Sequence, residues 1–233
     1  MQFSKPLPKF DPRAIPVQGI DDHLEGVALA SLTPHALRAR FASPPMWIPE
    51  HSVEKKFENR EPAAVLIPLV MRDELMLLLT QRTTNLSTHS GQVAFPGGRM
   101  DATDVDAADT ALREATEEIG LPRSHAEVLG ALPIYVTGTA YSVTPVVALV
   151  KPGFVLKPNP GEVADVFEVP LAYLMNPANH RRHAVEFDGI TREWLSMPYL
   201  DEAVRQEDGQ LKERFIWGAT AGMLRNLYRF LSA

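Results

Sequence analysis

The stretch from Ala107 to Gly120 constrains the chain more than any other. With about 100 degrees per residue on a helical wheel and Glu114 at zero, Glu118 falls at about 40 degrees and Glu117 at about minus 60. Ala108, Ala111, Leu112, Ala115 and Ile119 collect on the neighbouring sector. The segment is therefore predicted to be a helix with one apolar face for a sheet and, beside it, a face carrying three carboxylates. Asp104 and Asp106 suit its start, where they can cap free N–H groups and meet the positive end of the helix dipole. Gly120, followed by Leu121 and Pro122, suits its end. Carboxylates three and four residues apart repel by ~0.2–0.5 kcal/mol per pair in water. Arg113, four residues before Glu117, offsets part of this. A cluster this poor in cations either faces solvent or invites a hard dication that takes oxygen ligands. The helix alone leaves both readings open.

Around this helix, two strand-like runs, Ala63–Val70 and Leu75–Thr80, flank the charged turn Arg72-Asp73-Glu74. Gln92–Phe95 is a short strand leading into Pro96-Gly97-Gly98. Val128–Val136 and Ser142–Val150 are further strands, and Glu162–Glu168 leads to a short helix near Leu171–Met175. Arg181–Phe187 and Thr191–Met197 flank Asp188-Gly189, a strong hairpin signal. Ala219–Leu231 is a final helix whose apolar stripe (Met223, Leu227, Leu231) suits core or homodimer packing. Residues 1–60 read as an extension broken by Pro6, Pro8, Pro12 and Pro16. One helix starts in it at Thr33, with Pro34 at its first position. The compact domain, 61–233, is of the α+β class: a mixed sheet between helices.

Bulk properties narrow the function. The net charge of −6 argues against a nucleic-acid or anionic-membrane surface, though not against an anionic substrate held through a cation. With no cysteine, thiolate metal sites and thiol nucleophiles are excluded. Met1–Arg13 lacks the apolar segment of a signal peptide, and the apolar runs are too short to span a bilayer. A cytoplasmic protein is expected.

Two adjacent glycines at a strand end allow backbone to approach a ligand closely. Gly98, followed at a distance by Arg113-Glu114-Ala115-Thr116-Glu117-Glu118-Ile119-Gly120-Leu121, resembles the Nudix box, the signature of a family of nucleoside-diphosphate hydrolases. The acidic position between the glycine and the arginine departs from the usual pattern. It is Asp104 rather than a glutamate, and the spacing to Arg113 is one residue longer. The preceding Leu78–Thr83 and Gly91–Gly98 are similar to the motif ahead of the box in coenzyme A diphosphatases, a subfamily that also has the longer box, an Asp-containing loop like Asp101–Asp104 and a C-terminal segment like Phe215–Gly222. Thr83 stands where serine or alanine is common, and Ser87 where an arginine is usual.

The resemblance implies a Nudix α/β/α sandwich that binds Mg²⁺ or Mn²⁺ through Glu114, Glu117 and Glu118, with a backbone carbonyl of Gly98 or Gly97 as a further ligand. It implies that Arg113 orients the carboxylates. Glu162 is nominated as general base, with His89 as an alternative, and Glu117 and Arg113 are counted among the catalytic residues. Arg82, Arg99, Gly97 and Gly98 are nominated to meet substrate phosphates, with Lys55, Lys56 and Arg60 as outlying contacts. The implied substrate is coenzyme A or an acyl derivative. Two alternatives stay open: hydrolysis of ADP-ribose, dinucleotides or nucleotide sugars, and a non-catalytic ligand sensor on the same fold.

Overall fold

The computed structural model describes residues 11–50, 60–84, 91–137, 141–187, 189–206 and 208–233. The elements begin with β1 (Gly19–Ile20), α1 (Pro34–Ala42), β2 (Glu61–Met71), β3 (Leu75–Arg82), β4 (Val93–Ala94), β5 (Gly97–Arg99) and α2 (Ala107–Ile119). They continue with β6 (Ala126–Ala131), β7 (Tyr135–Val136), β8 (Tyr141–Val150), β9 (Val163–Pro170), α3 (Leu171–Leu174), β10 (Arg181–Phe187), β11 (Ile190–Arg205), β12 (Leu211–Trp217) and α4 (Gly218–Leu231).

The central sheet is mixed. Its main path runs β4-β3-β2-β8-β6, with β5 on β2, β7 on β8 and β9 on β3. β2 and β8 pair in parallel from Glu61↔Tyr141 to Val70↔Val150, and the other pairs are antiparallel. The apolar run in β2 is nearly continuous because both faces of the sheet are covered. Ala64, Leu66 and Val70 pack with Ala111, Ala115 and Ile119 of α2. Ala63, Ile67 and Leu69 point the other way, into a larger core with Leu37 of α1 and Leu224, Leu227 and Leu231 of α4. The predicted mixed sheet between helices is the architecture found.

A second sheet, β1-β10-β11-β12, is wholly antiparallel and adds Leu195, Met197 and Ile216 to the larger core. Phe187 pairs with Ile190, and Gly189 takes φ +72°, the left-handed conformation a two-residue hairpin turn requires. Asp188 lies outside the described residues. β11 runs on to Arg205, past the predicted Met197, because β12 pairs along it. β12 pairs antiparallel along β11 from Ser196↔Trp217 to Arg205↔Leu211. The predicted strand Val128–Val136 is two strands, parted between Leu132 and Ile134, where Pro133 has no N–H to give a ladder.

The N-terminal part docks on this body. β1 pairs with β10, and Thr33 caps α1 by accepting the Ala36 N–H at 3.2 Å. Asp21 and Glu50 bracket Arg182 and Arg225, with Arg182 Nε to Asp21 Oδ1 at 2.7 Å and Arg225 Nε to Glu50 Oε2 at 2.6 Å. Among the described residues no helix is long and apolar enough to cross a membrane.

Candidate active site

α2 is built as its composition dictates. Asp106 caps it, accepting the Asp109 N–H at 2.8 Å, and Gly120 ends it at φ +68°. Once its alanine face lies on β2 and β8, Glu114 and Glu118 are carried toward β5, the short glycine strand.

Close backbone approach explains both glycines. A Cβ at Gly97 would lie 2.5 Å from the Ala64 carbonyl oxygen, and one at Gly98 would lie 2.5 Å from Glu114 Oε1. The Gly97 amide donates to Glu118 Oε2 at 3.1 Å. The carboxylates thus face the glycine strand.

Arg113 organises the charged face. Its Nε and Nη2 donate to the two oxygens of Asp104, each at 2.9 Å. Nη1 donates to Glu114 Oε1 at 2.9 Å and Glu117 Oε2 at 3.1 Å, and Nη2 also donates to the Arg99 carbonyl at 3.0 Å. Asp104 therefore has a definite place despite its altered spacing: it is the fork-on-fork partner of Arg113. Its side chain is only 2 % exposed. Hydrogen bonds from Arg113, then the Asp101 amide and the Thr110 hydroxyl, hold its pKa well below the carboxylate range. Its position between Gly98 and Arg113 was the one sequence signal for this role.

Burial sets the electrostatics. Glu118 is almost enclosed, and desolvation pushes its pKa up to about 7 against the Gly97 hydrogen bond and the Arg82 charge. Glu114 is raised too, mainly by burial, and the negative charge of Glu162 adds to both shifts. Glu117 stays exposed, its side chain 59 % accessible.

The remaining nominated residues divide. Arg82, at the end of β3, brings Nη1 to 3.7 Å from Glu118 Oε1, while its Nε is buried with no hydrogen-bond partner among the described residues. Glu162 is drawn in by its loop. The Asn159 N–H donates to the Glu118 carbonyl at 2.8 Å, and the Thr83 N–H donates to the Glu162 carbonyl at 3.0 Å. Arg99 turns elsewhere: its guanidinium meets Glu61 Oε2 at 2.7 Å and the Tyr141 hydroxyl at 3.3 Å, so only its carbonyl serves the charged face. Arg60 donates to the Thr137 carbonyl at 2.7 Å. Ser87, His89, Lys55 and Lys56 lie outside the described residues.

The donor set fits a hard dication. It offers carboxylate oxygens, one pair of them in the space a side chain at Gly98 would fill, and a buried, under-compensated Glu118. Among the described residues no group of three or more His, Asp or Glu side chains is already disposed to hold a metal ion, and Arg113 bridges Glu114 and Glu117.

A family model described as NUDIX domain matches residues 60–195. This chain belongs to the Nudix family. The uncharacterized Nudix hydrolase NudL of Escherichia coli strain K12 is 41% identical over 176 residues, covering 75% of this chain and 85% of the relative. NudL of Shigella flexneri is 42% identical over 175 residues, 72% of this chain and 84% of the relative. Among solved structures, the Nudix hydrolase RenU of M. smegmatis shares 26% identity at a TM-score of 0.41, over 54% of this chain and 80% of that one. The protein is thus a Nudix hydrolase, with its box on α2 and the glycine strand β5.

Proposed function

We propose that this Nudix hydrolase cleaves the diphosphate of coenzyme A or of an acyl-coenzyme A. Water adds to one phosphorus and the P–O–P bridge breaks, giving 3′,5′-ADP and 4′-phosphopantetheine or its acyl form. One observation carries the reading: buried Glu118 is bonded to the Gly97 amide and faces Arg82, whose Nε has no partner among the described residues. Negative oxygens for a dication and an incompletely engaged guanidinium for a phosphate thus stand side by side. The similarity of Leu78–Thr83 and Gly91–Gly98 to the coenzyme A diphosphatase motif supports the substrate.

In this reading Glu114, Glu117 and Glu118 hold Mg²⁺ or Mn²⁺. When bound, the ion neutralises phosphate charge and makes the attacking water more acidic. Arg113, fixed by Asp104, keeps Glu114 and Glu117 in register. Arg82 binds a phosphate oxygen of the diphosphate, and Glu162 accepts the proton of the attacking water. The Gly97-Gly98 backbone lets the substrate approach where a side chain would stand.

The test is turnover of coenzyme A beside ADP-ribose with Mg²⁺ and Mn²⁺. Release of 3′,5′-ADP with the higher kcat/KM for coenzyme A is expected. Preference for ADP-ribose would reject the substrate and keep the hydrolase. A protein that binds both and turns over neither, before and after Glu117→Gln, would be a sensor.

A further inference from the structure

Gln81 and Arg82, neighbours on β3, face opposite sides of the central sheet. Arg82 looks toward Glu118 on the α2 side, whereas Gln81 Oε1 accepts from Arg214 Nη1 at 3.4 Å on the other. Arg214, on β12 of the second sheet, has a side chain only 2 % exposed. Its Nε donates to Asp201 Oδ2 at 2.9 Å, its Nη1 donates to Asp165 Oδ2 at 2.5 Å, and its guanidinium carbon lies 4.1 Å from the centre of the Phe167 ring. A guanidinium this dry is held only where carboxylates pair it, so the second sheet is tied to β3 and β9 at this point.

The tie falls where β9 breaks register. Gln81 pairs with Asp165, but Arg82 pairs with Val163, leaving Ala164 as an extra residue. The bulge turns the strand over. Phe167 and Val169 pack into the larger core, while Val163 packs on the α2 side. Bulges of this kind re-aim side chains beside functional sites. Here the strand end beyond the bulge leads straight to Glu162 and flanks Arg82.

We propose that Asp165 and Arg214 are positioning residues: by clamping the β9 bulge from the far face of the sheet, they set where Arg82 presents its guanidinium to a substrate diphosphate. The inference rests on the proposed role of Arg82.

The test is a double-mutant cycle of Asp165→Asn and Arg82→Ala, read as the Kd of ADP in the presence of Mn²⁺ by calorimetry. Asp165 is the residue to change because Arg214 keeps Asp201 and the sheet contact survives. The expected result is roughly tenfold weaker ADP binding for Asp165→Asn in the natural background, as for a misplaced contact group. In the Arg82→Ala background the same change should cost less than about twofold, because the two groups act as one unit. Mn²⁺ binding without ADP should be unaltered in Asp165→Asn. Equal fold-changes in both backgrounds, or none in either, would overturn the inference, since a merely structural contact would be additive. If Asp165→Asn lowers the melting temperature, Asp165→Glu takes its place under the same criteria. A natural protein that neither binds ADP nor hydrolyses a diphosphate would reject the function itself; one that binds ADP with an additive cycle rejects only the positioning role.

Discussion

The Gly97 amide donates to Glu118 Oε2 at 3.1 Å, and that bond fastens the carboxylate helix to the glycine strand. It places a nearly enclosed carboxylate, with one backbone donor and one cation at 3.7 Å, against that strand. Such a charge raises the energy of the folded protein, and a bound dication would relieve it.

The first prediction follows from the Glu118 pKa. It lies at about 7, above the ordinary 4.5, so the folded protein holds this proton more tightly than the unfolded chain. The carboxylate therefore costs stability progressively as pH rises from about 4.5 through about 7. In EDTA at pH 8, Glu118→Gln, whose amide oxygen still accepts from Gly97, should be the more stable protein by on the order of 3 kcal/mol. The gap should close toward pH 4. Urea unfolding at both pH values checks it, and equal stability at pH 8 would contradict it.

The two glycines should fail differently. An alanine Cβ at Gly97 meets the Ala64 carbonyl and Val65 Cα, which are backbone and cannot move aside. Gly97→Ala is expected to destabilise the fold by about 1–3 kcal/mol. At Gly98 the obstacle is the end of the Glu114 side chain, which can rotate away. Gly98→Ala should keep most of its melting temperature while Mn²⁺ affinity falls. Calorimetric melting and Mn²⁺ titration separate the two, and loss of folding in Gly98→Ala would count against this account.

Asp104 holds the fork of Arg113. Asp104→Asn removes the charge and one of the two acceptors of the fork, which loosens the grip that fixes Arg113 against Glu114 and Glu117. Activity with Mg²⁺ should drop by roughly 10–100-fold, as when an outer-sphere partner of a metal ligand is removed. Unchanged kcat/KM would dismiss Asp104 as a bystander.

On the far side of the sheet, buried His180 is locked neutral. Its Nε2–H donates to the Leu174 carbonyl at 2.8 Å, and its Nδ1 accepts from Arg225 Nη1 at 3.0 Å. Burial, joined by the Arg225 charge, lowers its pKa from 6.5 to about 4. The stability contributed by the neutral ring is complete above 6.5 and is lost as pH falls through about 4. His180→Gln should flatten the stability profile across that window. Guanidinium titrations from pH 7.5 to 4 measure it; parallel profiles for the two proteins would refute it.

What the chain settled locally was the helix Ala107–Ile119 with its Asp and Gly ends, the turn at Gly189 and the cap at Thr33. Each depends on residues within one or two turns of each other, where backbone preferences and short hydrogen bonds decide the outcome. Tertiary structure decided which charges meet. Asp104 became the partner of Arg113, while Arg99 turned to Glu61 and left only its carbonyl at the site. Arg214 found Asp165 across 49 residues, and Arg225 found Glu50 across 175. A surface cation and a buried one have the same letter in the sequence. Only the register of the strands, fixed by which apolar faces can be covered together, brings distant carboxylates to one guanidinium and withholds them from another.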